Sequence, residues 1–327
     1  MYFAAYSGGG RQAVSVLQPY AGLSPDILLD AVESVGYAPD GRLLALNSFE
    51  NRVYQIGLED AGFLIAKFYR PGRWSDASIL EEHAFSHELA DGELPVVAPL
   101  ARDGDTLFMH AGFRFALFPR KGGRAPDLEG LEVSAWLGRL LARMHLIGQR
   151  QPFLHRQRVD ADTLVWTPHL AASASPLMPS AIRDRYEHLV EDAADAIDAA
   201  FARIAPGTLR LHGDCHPGNV LWTDAGPHFV DLDDSRSGPA VQDLWMLMTG
   251  DDAQREALLE GYEQFRPFDR GELQLIPPLR LMRQIHYAGW IAERFADPAF
   301  PAAFPYVALA PWWEQHCRDI AEALEDL

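Results

Sequence analysis

Only two cysteines, Cys215 and Cys317, occur among the 327 residues of the chain. Two thiols are too few for a disulfide framework or for a paired-ligand zinc module, and their scarcity favours a cytoplasmic location. Basic residues are scarce as well, because 28 lysines and arginines face 46 aspartates and glutamates and leave a formal charge of −18. This balance argues against non-specific binding to nucleic acids or anionic membranes, since either needs a basic face.

Long hydrophobic runs are also missing. No apolar stretch approaches the roughly 20 residues of a membrane-spanning helix, and the first ten residues lack the basic and apolar regions of a signal peptide. We therefore expect no membrane partner. Because 48% of the residues are hydrophobic and 11% are aromatic, the composition predicts a folded globular protein, with a length that suits about two domains.

The first part of the chain predicts a small lobe rich in strands. Residues 1–22 are expected to form a loosely ordered leader. Ser24 before Pro25 predicts the start of a helix, and Ser75 predicts a second helix that ends near Gly92. Alternating hydrophobic residues predict strands near 43–46, 53–56, 63–69, 96–100 and 113–118.

The breaker-rich segment 119–123, Pro-Arg-Lys-Gly-Gly, predicts a linker. It separates an N-lobe, residues 23–118, from a C-lobe, residues 124–327. The fold class is therefore α+β, with a small sheet-rich lobe and a larger, mostly helical lobe. Hydrophobic periodicity predicts C-lobe helices near 131–147, 181–204, 241–249, 252–264, 272–296 and 311–325, with 150–178 irregular.

Residues 211–234 carry the motif that predicts the chemistry. Asp214, Asn219 five residues later, and Asp231 are distributed around two apolar strands. Phosphoryl transfer needs a carboxylate that orients the attacking hydroxyl and hard oxygen ligands for Mg²⁺ on the nucleotide phosphates. We interpret Asp214 and Asp231 as catalytic, Asn219 and Asp231 as magnesium ligands, and Asp233 as a further candidate ligand. The motif predicts an ATP-dependent phosphotransferase.

Other interpretations of this motif are weaker. A zinc site at Cys215 lacks a second thiol, and Asp214-Cys215-His216 resembles the start of a two-metal phosphoesterase site without the later histidine clusters. The simplest alternative is that Asp214 and Asn219 only stabilise turns. We expect a buried His212 to support the loop, and Asp243 to cap the following helix and brace the loop.

The N-lobe offers candidate nucleotide-binding residues. Lys67 lies in an apolar strand, and the following helix offers Glu81 and Glu82, of which we take Glu82 as the ion-pair partner that directs the ammonium toward phosphates. The loop between the first two strands would contact phosphates through Ser48 and Asn51. This loop lacks glycine and so departs from the usual Gly-rich loop.

The string His212-Gly-Asp214-x-x-x-x-Asn219, followed by Asp231-Leu-Asp233, resembles the aminoglycoside phosphotransferase and choline kinase family, and within it the bacterial stress response Ser/Thr kinases. The resemblance implies a bilobal protein-kinase-like fold with a small antiparallel sheet in the N-lobe. It implies that Asp214 accepts the proton and that Asn219 and Asp231 bind Mg²⁺. Similar stretches include residues 46–55, 66–71, 79–83, 209–216, 229–234 and 238–247.

The same resemblance assigns Lys67 to the nucleotide phosphates, Ser48 to the ATP-side loop, and Phe118 with the linker after it to the adenine hinge. The implied activity is ATP- and Mg²⁺-dependent phosphorylation of Ser/Thr hydroxyls of proteins, with the kinase itself as one candidate substrate. The implied setting is a stress response, and the implied state is a monomer.

Two alternatives to a protein kinase stay open. Only eleven residues separate Asp231 from Asp243, which leaves little room for a phosphorylation-gated activation segment, so a small-molecule kinase of the choline, homoserine, methylthioribose or aminoglycoside type is the runner-up. Acidic residues near the cleft would favour a cationic acceptor, but the sequence does not place Asp233, Asp234 or Glu191 there. A non-catalytic pseudokinase is disfavoured because the lysine, asparagine and both catalytic aspartates are intact.

Overall fold

The computed structural model describes residues 18–60 and 62–327, so most of the predicted leader lies outside the described residues. The strands are β1 (Pro39–Leu46), β2 (Arg52–Leu58), β3 (Phe63–Phe68), β4 (Phe108–His110), β5 (Phe113–Pro119), β6 (Leu209–Leu211), β7 (Val220–Thr223), β8 (Gly226–Phe229) and β9 (Arg236–Gly238). The helices are α1 (Pro25–Ser34), α2 (Asp76–Asp91), α3 (Leu131–Gly148), α4 (Thr167–Ala174), α5 (Ser180–Ile204), α6 (Val241–Leu244), α7 (Asp252–Glu263), α8 (Ile276–Arg294), α9 (Ala299–Ala303) and α10 (Ala310–Glu325).

The N-lobe is built on one antiparallel sheet with the strand order β1-β2-β3-β5-β4. Ser24 begins α1 as predicted, because its side chain accepts a hydrogen bond from the Ile27 amide at 3.4 Å. The apolar face of α1 buries Leu28 and Val32 in a cluster with Phe115 of the sheet. The described residues contain no helix long and apolar enough to cross a membrane.

The predicted strand at 96–100 is wrong. This segment is a loop that touches β8 through one bridge between Val96 and Phe229, and the edge strand of the sheet is β4. Pro95 and Pro99 explain the difference, because proline has no amide hydrogen to donate to a strand ladder. The helix after β3 is correct: Ser75 caps α2, and its hydroxyl accepts from an amide one turn later.

Most of the C-lobe is helical, as predicted, but residues 150–178 are not irregular throughout. A π-helical turn, Asp162–Trp166, continues directly into α4. Pro168 lies in the first turn of α4, directly after this π-helical turn, so a proline here does not end the helix. The short helix α9 also escaped prediction.

Helices α3 and α7 cross at glycines. A Cβ atom on Gly138 would lie 2.0 Å from the Leu258 carbonyl oxygen, and one on Gly261 would lie 2.1 Å from the Ala135 carbonyl oxygen. The two backbones can approach this closely only because neither glycine has a side chain. This crossing matters for the site because α3 carries His145, which contacts the aspartate that braces the catalytic loop.

We expect Gly138→Ala to lower the free energy of unfolding by about 1–3 kcal/mol, because the added methyl overlaps backbone that cannot move independently. Alanine in an ordinary helix position would instead stabilise by up to about 1 kcal/mol. Gly207→Ala, in the loop between α5 and β6, is the control for the added methyl itself, since a Cβ there meets nothing within 4 Å. Urea denaturation of the two variants checks this; equal stability would contradict the close helix crossing.

Candidate active site

The loop between β6 and β7 is held from inside by one buried carboxylate. The amides of His212 and Gly213 both donate to Asp243 at 2.8 Å. Gly213 has φ +87°, and a Cβ there would meet the Asp234 carbonyl oxygen at 2.0 Å, so this position requires glycine. Burial alone would raise the pKa of the Asp243 carboxyl. Its hydrogen bonds and charge interactions, chiefly those with His145, outweigh burial, so the pKa is lowered overall. Asp243 therefore braces the loop as predicted, whereas the predicted helix cap is wrong because it lies inside α6.

The second support of the loop is His212. Its imidazole is fully buried, and Nε2 lies 3.0 Å from the Val230 carbonyl oxygen on the strand side of the motif. This hydrogen bond links His212, two residues before Asp214, to Val230, which immediately precedes Asp231. The predicted supporting role of His212 is confirmed.

Asp214 lies on this loop with its carboxylate about one quarter exposed. Arg283 of α8 donates from Nη1 to Oδ1 at 2.7 Å, and His216 Nε2 lies 3.6 Å from Oδ2. Oδ1 is therefore held by a direct hydrogen bond, whereas the His216 imidazole lies farther from Oδ2. Sequence reasoning missed Arg283, because it is 69 residues away and no local pattern marks it.

Asn219 and Asp231 are brought together beside Asp214. The Asn219 carboxamide donates from Nδ2 to the Asp214 carbonyl oxygen at 2.9 Å, which leaves its own oxygen for a ligand. Asp231 has φ +60° and ψ +59°, a left-handed conformation that is uncommon outside glycine and is concentrated at functional sites. Its side chain is 53% exposed. Two hard oxygen donors of this kind suit Mg²⁺.

A cavity of about 320 Å³ lies between the lobes. Its volume is within the range typical of small-molecule sites. Six of the residues predicted from the sequence line it: Ser48, Lys67, Glu82, Phe118, Asn219 and Asp231. The cavity also contacts Pro119 and Lys121 of the predicted linker. The structure thus places residues from both lobes and the linker around one space.

Lys67 is buried at the back of this cavity. Its Nζ lies 2.8 Å from Asp231 Oδ1 and 3.2 Å from Asp233 Oδ1. Burial lowers the pKa of Lys67, but the carboxylates of Asp231, Asp233 and Glu82 outweigh burial and raise it. The ammonium is therefore charged at neutral pH.

These contacts correct the predicted ion pair between Lys67 and Glu82. Glu82 is buried in the same cavity but accepts a hydrogen bond from Ser86 at 3.1 Å, and burial raises its pKa to about 7. Glu81 has a different structural role, since its carboxylate accepts hydrogen bonds from the backbone amides of residues 154–156. Of the two glutamates, only Glu82 faces the cavity.

Asp233 and Asn51 also differ from prediction. Asp233 is 3% exposed and pairs with Lys67 and Arg73, while Asn51 Nδ2 donates to it at 3.1 Å. Burial raises the pKa of Asp233, but Lys67 and Arg73 outweigh burial and lower it to about 2. The Asn51 oxygen accepts the Arg70 amide at 3.1 Å, so this side chain is engaged inside the protein. Both side chains are thus engaged by partners inside the protein, and neither lines the inter-lobe cavity.

The loop between β1 and β2 is fixed to the C-lobe, which sequence reasoning missed. The Glu50 carboxylate accepts from Trp290 Nε1 at 2.6 Å and pairs with Arg294 at 2.8 Å. Arg52 follows the loop directly, and Arg70 follows β3 and donates to the Glu50 carbonyl oxygen at 3.0 Å. Both arginines pair with the buried Asp297, at 2.8 and 2.7 Å. The end of the predicted leader joins this region, because the Tyr20 hydroxyl donates to the Glu50 carbonyl oxygen at 2.9 Å.

Comparison with known proteins shows the family of this chain. Residues 42–276 match the phosphotransferase enzyme family. The chain is 45% identical over 295 residues to stress response kinase A of Escherichia coli K12, which covers 89% of each chain. It is 42% identical over 304 residues to serine/threonine protein kinase RdoA of Salmonella typhimurium, which covers 92% of each chain.

Solved structures show the same fold. An amicoumacin kinase in complex with AMP-PNP and Ca²⁺ matches with a TM-score of 0.70 and 18% identity over 92% of this chain and 93% of that chain. A microcompartment-associated aminopropanol kinase matches with a TM-score of 0.69 and 20% identity over 92% and 98%. This chain therefore has the kinase-like fold and belongs to the phosphotransferase enzyme family, with the stress response kinases among its homologues.

Proposed function

We propose that this protein is an ATP- and Mg²⁺-dependent kinase that phosphorylates Ser/Thr hydroxyls of proteins. The observation that supports this most strongly is the inter-lobe cavity that Lys67, Asn219 and Asp231 share, with Asp214 joined to Asn219 beside it. Phosphoryl transfer depends mainly on positioning and electrostatic stabilisation, and these four side chains supply the charges and oxygens for both.

The residues present fit a magnesium nucleotide. The free Asn219 oxygen and the exposed Asp231 carboxylate would hold Mg²⁺, which neutralises phosphate charge when bound. Protein kinases and related enzymes hold this ion with few protein ligands, because phosphate oxygens and water complete its coordination. The charged Lys67 ammonium and the Ser48 side chain line the same cavity and would contact phosphate oxygens.

Asp214 would receive the acceptor hydroxyl. Arg283 holds Oδ1, so the carboxylate has a fixed orientation and presents Oδ2 to an incoming group. A carboxylate in this position orients the hydroxyl and accepts its proton during or after transfer. The loop that carries Asp214 is rigid, because Asp243 and His212 anchor it on two sides.

The protein acceptor is supported by kinship with a kinase whose name specifies serine and threonine. The segment after Asp231 folds directly into a helical turn, β9 and α6, so the described chain presents no separate activation segment there. We propose that the enzyme acts without phosphorylation gating, in a stress response. A cytoplasmic location and a monomeric state stay predictions from the sequence.

A decisive assay offers labelled ATP to the purified protein with general protein acceptors, the protein itself, and a panel of amino-alcohols and aminoglycosides. Transfer to protein hydroxyls supports the proposal. Transfer restricted to the small molecules would refute the protein acceptor and favour the small-molecule kinase that the sequence left as an alternative.

We expect Asp214→Ala to reduce phosphate transfer by about a hundredfold or more, since a positioned general base contributes that much. ATP binding should persist, because Asp214 handles the acceptor rather than the nucleotide. The matched control is Asp224→Ala, which removes an exposed carboxylate in the β7–β8 turn of the same motif. Wild-type transfer rates in Asp214→Ala would refute the assignment.

We expect Asp231→Asn to weaken binding of Mg·ATP by removing a charged metal ligand. Asparagine is the right replacement because it tolerates the left-handed backbone of this position. The measurement is the rise in Tm on adding ATP with Mg²⁺, with ATP in EDTA as the metal control. A tenfold loss of affinity removes about 1.4 kcal/mol of ligand-induced stabilisation at high ATP. An unchanged Mg²⁺-dependent rise in Tm would contradict metal binding by Asp231.

A further inference from the structure

The acidic residues considered above as attractants for a cationic acceptor, Asp233, Asp234 and Glu191, are either paired with basic side chains or lie outside the cavity. Asp233 is buried and paired, as described above. Asp234 pairs with Arg73 at 2.7 Å and with Arg236 at 2.9 Å. Glu191 is an exposed residue of α5, outside the lining of the inter-lobe cavity. The carboxylates named in the sequence as candidates for binding a cation are therefore either engaged or located elsewhere.

Basic side chains, in contrast, lie at the acceptor side of the site, close to Asp214. Arg283 donates to Asp214 at 2.7 Å, yet its side chain is 50% exposed. Arg280 is three residues earlier on α8, and residues three apart lie on the same helix face. The His216 imidazole lies on the same side, 3.6 Å from the Asp214 carboxylate.

The neighbours of Arg280 show that it belongs to the same side. Its guanidinium carbon lies 5.9 Å from the ring centroid of Trp245. Trp245 donates from Nε1 to Gln242 at 3.4 Å, and Gln242 donates to the Gly213 carbonyl oxygen at 2.9 Å. Arg280 is thus connected through two side chains to the residue that precedes Asp214.

We infer that Arg280 and Arg283 select an acceptor hydroxyl with acidic groups beside it, namely a Ser or Thr flanked by Asp or Glu. This rests on the proposed function and specifies its substrate class. The two arginine backbones lie about 4.5 Å apart along the axis, at a rise of about 1.5 Å per helical residue. An extended peptide advances about 3.3–3.6 Å per residue, so carboxylates one or two residues from the acceptor stay within reach of these long, flexible side chains.

A cationic acceptor fits this surface poorly. Its ammonium groups would lie beside exposed guanidinium groups, and like charges in contact oppose binding. The chain as a whole carries a charge of −18, so the exposed Arg283 beside the catalytic carboxylate and the exposed Arg280 one turn away are a local exception to its overall charge. Such local fields chiefly determine specificity and the association rate.

The test compares two serine peptides of equal length, one with Asp at the flanking positions and one with Lys. The readout is the ratio of their kcat/KM values with Mg·ATP. We expect the wild type to favour the acidic peptide by about fivefold or more at low salt, and this preference to shrink in 0.5 M NaCl because salt screens exposed charges. Arg280→Glu should lower the ratio by about fivefold or more, and Arg283→Glu should lower it as well.

Arg255→Glu is the matched control, because it makes the same change of charge at an exposed position on α7, where the arginine pairs with Asp252. Its ratio should equal that of the wild type. Arg280→Gln provides a milder variant if the charge reversal impairs folding, and it should lower the ratio by a smaller factor.

A wild-type ratio of one or less, or a ratio unchanged by both Arg280 variants, would overturn the inference and leave the Ser/Thr kinase activity standing. Failure to phosphorylate any peptide or protein, together with transfer to amino-alcohols, would instead overturn the proposed function. The peptide pair and the amino-alcohol panel therefore separate the two failures.

Discussion

The arrangement of the active site depends on one buried carboxylate, Asp233. A buried charge is costly unless ionic and hydrogen-bonding partners surround it, and Asp233 takes Lys67, Arg73 and Asn51 from the N-lobe. Because Asp233 is only two residues after Asp231, its fixed position also determines where Asp231 lies. The electrostatic requirement of one residue thus positions the proposed metal ligand beside it.

A second internal carboxylate, Asp243, fixes the position of the loop between β6 and β7 that carries Asp214. Asp243 accepts the amides of His212 and Gly213, and it contacts His145 of α3. The crossing of α3 with α7 fixes the position of that histidine. The groups proposed to meet substrate therefore stand on a scaffold that internal hydrogen bonds and ion pairs hold in place, which favours their positioning before substrate arrives.

Local sequence signals predicted much of this molecule. Ser24 and Ser75 begin helices because capping depends on residues three positions away, and the 211–234 motif is contiguous. Where prediction failed, the partners are distant in sequence. Asn51 and Asp233 are 182 residues apart, and Lys67 and Asp231 are 164 apart, so no local pattern distinguishes these partners from Glu82. Pro95 and Pro99 account for the error at residues 96–100, because proline has no amide hydrogen to donate to a strand ladder.

The glycine-free loop between β1 and β2 has a consequence for how the cleft opens. In kinases with a Gly-rich loop, the loop itself can lift; here Glu50, Arg52 and Arg70 attach it to Trp290, Arg294 and Asp297. These pairs are largely buried, so salt screens them weakly. Separation of the two lobes on this side must therefore break these pairs, whether the loop lifts alone or moves together with the rest of the N-lobe.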